Sequence, residues 1–225
     1  MKRKTLVFIL IFLFLVALFL GVACWQWNNI TAFRYAVTYT PEEQQELAKE
    51  AEQVLQRISD EYADVDFSKL PEEGIEMLAK GELSEEVAVA VMTGKLTWEE
   101  AKEQPLTVPA TDEASNVEAS KVESILARIY ALRSSYTGRI DALVGQAISD
   151  YTAKKGTKSQ LMAKYIGLGH GLEGECDAQM EALLSELSKE LKRTGGDLSL
   201  ISEIRSAYQT EKSLKKAEII GKYQK

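Results

Sequence analysis

The residues whose types and spacing could do chemistry are concentrated in one stretch, Tyr165 to Gln179, YIGLGHGLEGECDAQ. His170, Glu173 and Asp177 fall at i, i+3 and i+7, so one helical face would carry an imidazole and two carboxylates, with Glu175 and Cys176 close by. Such donors suit a metal, but a zinc site needs three or four converging ligands and further groups to orient them. His170 is the one histidine in the chain, so no metal is expected. Gly169, Gly171 and Gly174 match GxGxxG, a pattern that cradles a dinucleotide only between a strand and a helix. No strand pattern precedes them, and no cofactor is expected. With one histidine and no GxSxG, no nucleophile and base can be paired, and the chain reads as non-enzymatic.

The glycines of this stretch have a structural use as well. Gly167, Gly171 and Gly174 share a face, and each costs a helix about 1 kcal/mol relative to alanine. A tight helix crossing or kink accounts for that cost. The alternative is a ligand or partner groove that also takes in His170. Cys176 reads as a small buried hydrophobe, and with Cys24 as its sole companion there is no disulfide framework.

The elements that must position this stretch are helices. Glu, Lys, Ala, Leu and Gln are abundant, prolines number four, and no convincing strand appears, so the fold class is all-α. Apolar residues from Val117 to Tyr151 recur at three- and four-residue steps, predicting one long helix from about residue 112 to 155 with Gly138 and Gly145 as its weak points. Gly156 ends it, and Thr157 with Gln160 forms a capping box for the next helix, whose stripe runs from Leu161 to Leu191. Thr194 to Asp197 break that stripe, and a third helix begins near Leu198. Short connections between long amphipathic helices make antiparallel neighbours, so residues 117–225 are expected to form a long helical hairpin or a three-helix bundle.

Residues 28–104 form a membrane-proximal acidic region. Its first helix opens at Thr40, with Pro41 and Glu43 completing a capping box. Residues 68–106 then hold three units of 13 residues, SKLPEEGIEMLAK, GELSEEVAVAVMT and GKLTWEEAKEQPL, which share Leu70, Leu83 and Leu96. Gly81 and Gly94 suit left-handed helix ends, and Ser84 and Thr97 suit the caps that follow. The likeness follows from repeated capping needs. The functional alternative is a dock for a partner helix, built on the three leucines and Trp98. Residues 105–116, with Pro105 and Pro109, read as a linker and domain boundary.

At the N-terminus, Lys2, Arg3 and Lys4 precede twenty uncharged residues, Thr5 to Cys24. At about 1.5 Å each they span roughly 30 Å, the depth of a bilayer's hydrocarbon core. Residues 1–27 are therefore expected to be an uncleaved anchor with a cytoplasmic N-terminus and the rest outside, and Trp25 and Trp27 suit the far interface. Cleavage after Ala23 and secretion is a competing reading. Gly21 to Cys24 also resembles a bacterial lipobox, with Gly21 where that pattern usually has Leu, which would imply lipid attachment.

The net charge of −7 divides unevenly. Residues 41–118 hold 21 acidic and 6 basic side chains, net −15, whereas residues 119–225 hold 13 and 17, net +4. The acidic half argues against nucleic acid, whose phosphates need clustered cations. The expected function is a membrane-tethered interaction or scaffold module of a bacterial cell envelope, with another envelope protein or a second copy as partner. An extracytoplasmic ligand-binding or sensing domain using residues 165–179 is the alternative.

Overall fold

The computed structural model describes residues 38–62, 67–107 and 121–223, and every regular element among them is helical. The expected anchor and the core of the expected linker lie outside the described residues. Among the described residues no helix is long and apolar enough to cross a membrane. The described residues divide into two compact units, one within residues 53–205 and one of residues 38–52 with 206–223.

Helix α1, Pro41–Tyr62, begins at the expected capping box. The Thr40 amide donates to Glu43 Oε2 at 2.7 Å, and the Glu43 amide donates to Thr40 Oγ1 at 3.2 Å. Ile58, in the second half of this helix, is buried.

A short 3-10 turn at Phe67–Lys69 leads into α2 (Glu72–Lys80), α3 (Glu85–Met92) and α4 (Trp98–Glu103). Here the 13-residue period is written into the backbone. The amides of Glu82 and Leu83 both donate to the Met77 carbonyl, and thirteen residues on, those of Lys95 and Leu96 both donate to the Ala90 carbonyl. Gly81 and Gly94 supply the left-handed step each time, at φ 74° and 72°. Ser84 and Thr97 then cap, Thr97 in a full box with Glu100. The Ser84 amide donates to the Pro105 carbonyl at 2.8 Å, closing the module on itself.

The three repeat leucines each sit just before an N-cap and are all buried. They therefore belong to the core of the module. Trp98 is half-buried over Gly74.

Helices α5 (Lys121–Thr152) and α6 (Lys158–Thr194) are the expected long pair, joined by five residues. Three pairs of partners fix their register. Arg128 meets Glu186 at 2.8 Å, Arg139 meets Glu175 at 3.0 Å, and Asp150 meets Lys164 at 3.2 Å. Each step is eleven residues up α5 and eleven down α6, so the helices are antiparallel, and three turns separate successive rungs. Ile125, Ile129, Leu132 and Tyr136 of α5 and Cys176, Met180, Leu183 and Leu187 of α6 are buried along the base of the pair.

Helices α2 and α3 pack against α5, and Phe67 stacks on Tyr130 with ring centroids 4.6 Å apart. Nine- and eight-residue helices cannot bury their leucines alone, so the short-helix module shares one core with the hairpin.

Helix α7 runs from Ser199 to Tyr223 after Gly195 ends α6 at φ 74°. Within the larger unit, Arg205 makes a bidentate pair with Glu181, at 2.8 and 2.7 Å, and Arg57 pairs with Glu203. Within the smaller unit, Tyr208 and Leu214 are buried and the Lys212 ammonium lies 5.1 Å from the Tyr208 ring centroid.

Candidate interaction surface at the end of the hairpin

The hairpin changes character along its length. Beyond Tyr136 on α5 and before Leu172 on α6, buried residues give way to exposed and half-buried ones, Leu161 excepted. Five of the seven large hydrophobic side chains exposed among the described residues lie here. They are Ile148, Tyr151, Met162, Ile166 and Leu168, at 44, 58, 53, 53 and 45% exposure. Single exposed apolar side chains are ordinary, whereas a cluster marks a surface that another molecule covers.

Register and helical periodicity say which of them share a side. Ile148 lies two residues before Asp150 and Ile166 two after Lys164, so each is turned about 200° around its helix from the ion-pair ladder. Met162, two before Lys164, is turned likewise. Ile148 is also nine residues past Arg139, and Ile166 is nine before Glu175, which puts the two on one rung. One flank therefore carries charge and Leu168, and the other carries Ile148, Met162 and Ile166.

A polar clamp holds the end of the pair. The Tyr165 hydroxyl donates to Asp150 Oδ2 at 2.7 Å, while Lys155 and Lys164 reach the same carboxylate at 3.0 and 3.2 Å. Asp150 is only 15% exposed. The Tyr165 hydrogen bond, followed by those of Lys155 and Lys164, holds its carboxyl well below the usual carboxylate range. The turn closes as a helix-end motif, in which the Lys155 amide donates to the Asp150 carbonyl and Lys154 takes the left-handed position at φ 54°. Thr157 and Gln160 then start α6 with the expected capping box.

The glycine-rich stretch lies on α6 in this exposed region. A Cβ built at Gly167, Gly171 or Gly174 would meet no atom of the described residues within 4 Å. At Gly138 of α5, by contrast, a Cβ would fall 2.3 Å from the Ala79 carbonyl oxygen, the mark of a close helix approach. His170 is exposed. Cys176 is buried, as its apolar neighbours imply. Burial pushes the Tyr136 hydroxyl well above its usual range, with Glu173, Cys176 and Asp177 adding to the shift. Among the described residues no three His, Cys, Asp or Glu side chains are gathered to hold a metal ion.

Comparison with protein-family profiles, curated proteins and solved structures finds no match to this chain.

Proposed function

We propose that this chain is a non-enzymatic, membrane-tethered interaction module of the cell envelope, which meets a protein partner through the apolar flank at the end of its hairpin. Residues 5–24 would hold it in the membrane with the N-terminus cytoplasmic and the helical region outside. The observation that carries the proposal is the grouping of Ile148, Tyr151, Met162 and Ile166 as exposed side chains on a pair of helices whose register is fixed by ion pairs. A rigid element loses little freedom on association, so an apolar flank on it converts buried area into affinity efficiently. The tether rests on the basic residues 2–4, the uncharged run that follows and the two tryptophans after it. No observation favours the ligand-binding alternative at Gly167, Gly171 and Gly174, whose faces are open.

Photo-cross-linking in native membranes tests the reading. A photoreactive residue in place of Ile166 should give a discrete heavier product, and one in place of the exposed Lys189 should not. Absence of any product from position 166 would overturn the surface. A mature mass lacking residues 1–23 would overturn the tether.

A further inference from the structure

The long pair is built unevenly along its length. At its base, from Lys121 to Tyr136 on α5 and from Leu172 to Leu191 on α6, apolar side chains are buried turn after turn, and α2 and α3 pack against α5. Among residues 137–171, by contrast, Leu161 is the one buried side chain. Four positions in this outer part are helical glycines, Gly145, Gly167, Gly169 and Gly171, and a Cβ at any of them would meet nothing within 4 Å. Glycine disfavours a helix more than any residue but proline, and no close packing is gained here in return. Gly138 differs, because Ala79 occupies the space that its missing side chain leaves.

Length makes the outer part cooperative. Its two segments, residues 139–152 of α5 and 158–171 of α6, are fourteen residues each. An isolated helix of about that length is marginal in water even when rich in alanine. Each segment is therefore held helical by packing on the other, so loss of pairing and loss of helix go together. The tie across them is Asp150 of α5, which accepts from the Tyr165 hydroxyl at 2.7 Å and pairs with Lys164 at 3.2 Å, both on α6.

We infer that residues 139–171 form a clasp that opens and unravels as one unit while the base of the hairpin stays folded, with the hydrogen bond from Tyr165 to Asp150 as its latch. Few buried apolar contacts and an exposed helical backbone are the marks of a segment that opens below the free energy of global unfolding. Gly138, held against Ala79, and the buried Leu172 mark where the opening stops on each helix. The closed clasp is the ground state, so its ties still count in the unfolding of the whole chain. Opening parts Ile148 on α5 from Met162 and Ile166 on α6, and the clasp thus sets when a flank spanning both helices exists. The device does not depend on what that flank meets.

Hydrogen exchange of the full chain in mild detergent under native conditions tests it. Amides of residues 142–150 and 161–169 should exchange together, with protection roughly tenfold or more below that of residues 125–134 and 180–189. Tyr165→Phe keeps the ring and removes the latch hydroxyl, and should speed both outer segments about fivefold with the base unchanged. Gly167→Ala with Gly171→Ala should slow them roughly tenfold or more. The diagnostic readout is that these two substitutions on α6 also slow the outer amides of α5. Slowing confined to α6 would mean that each helix frays alone and would overturn the clasp. Equal protection of outer part and base, or a base sped along with the outer part by Tyr165→Phe, would overturn it in favour of a hairpin that opens only as a whole.

Discussion

Gly138 of α5 lies against the backbone of Ala79 in α2, so close that a Cβ at position 138 would fall 2.3 Å from both the carbonyl oxygen and the Cβ of Ala79. Backbone cannot swing aside as a side chain can, so Gly138→Ala must push α2 off the hairpin. Overpacking of this kind costs about 1–3 kcal/mol, more than the gain of under ~1 kcal/mol from replacing a helical glycine. Thermal unfolding of the full chain should show a lower midpoint for Gly138→Ala. Gly167→Ala and Gly145→Ala, which meet open space, should raise it.

Lys154 holds the left-handed position at the end of α5, at φ 54°, where glycine stands at Gly81, Gly94 and Gly195. A side chain there is strained against its own carbonyl. Lys154→Gly should stabilise the hairpin by about 0.5–1 kcal/mol, read as a rise in the unfolding midpoint. An unchanged or lower midpoint would mean that the turn is not closed in this way.

Asp150 makes the end of the hairpin sensitive to acid. Its carboxyl, held low by Tyr165, Lys155 and Lys164, resists protonation in the folded chain, while in the unfolded chain it takes a proton near pH ~3.9. The unfolded state therefore binds protons first. The stabilising contribution is whole above that pH and is lost as pH falls through and below about 4 toward the folded value. Asp150→Asn should lower stability at neutral pH and flatten its fall below pH ~4, measured as unfolding midpoint against pH.

The ladder between α5 and α6 sets register more than it sets stability. Arg139 and Glu175 are 46 and 50% exposed, and exposed pairs couple by about 0.2–1 kcal/mol. A double-mutant cycle with Arg139→Ala and Glu175→Ala should return a coupling in that range, and added salt should reduce it.

Punctuation was the most legible part of the fold. Thr40 with Glu43, Thr97 with Glu100 and Thr157 with Gln160 all form the boxes that their spacing predicts, because a cap satisfies orphan amides within four residues of chain. The 13-residue repeat was legible as a pattern of capping, and what its sequence does not carry is the packing of α2 and α3 on α5 that buries its leucines. Helix crossings were not legible. Four glycines on long helices, Gly138, Gly167, Gly171 and Gly174, carry the same local cost, and which of them admits a neighbour depends on residues far away in sequence. Gly138 does, because Ala79 arrives from 59 residues earlier. The eleven-residue spacing of Arg128, Arg139 and Asp150, matched in reverse by Glu186, Glu175 and Lys164, was a sequence signal for the hairpin's register. It becomes readable once the two helices are known to pair.

On the proposed function, Ile148, Tyr151, Met162 and Ile166 serve association and contribute little to the folded core. Replacing all four by serine in the full chain separates the two roles, because exposed positions change stability by no more than about 0.5 kcal/mol each. The decisive measurement is the mass of the complex extracted in mild detergent, compared with that of the unaltered chain at matched folding. A fall to the mass of a single chain, with helical content kept, is the result predicted. A complex of unchanged mass would show that these four side chains do not serve association.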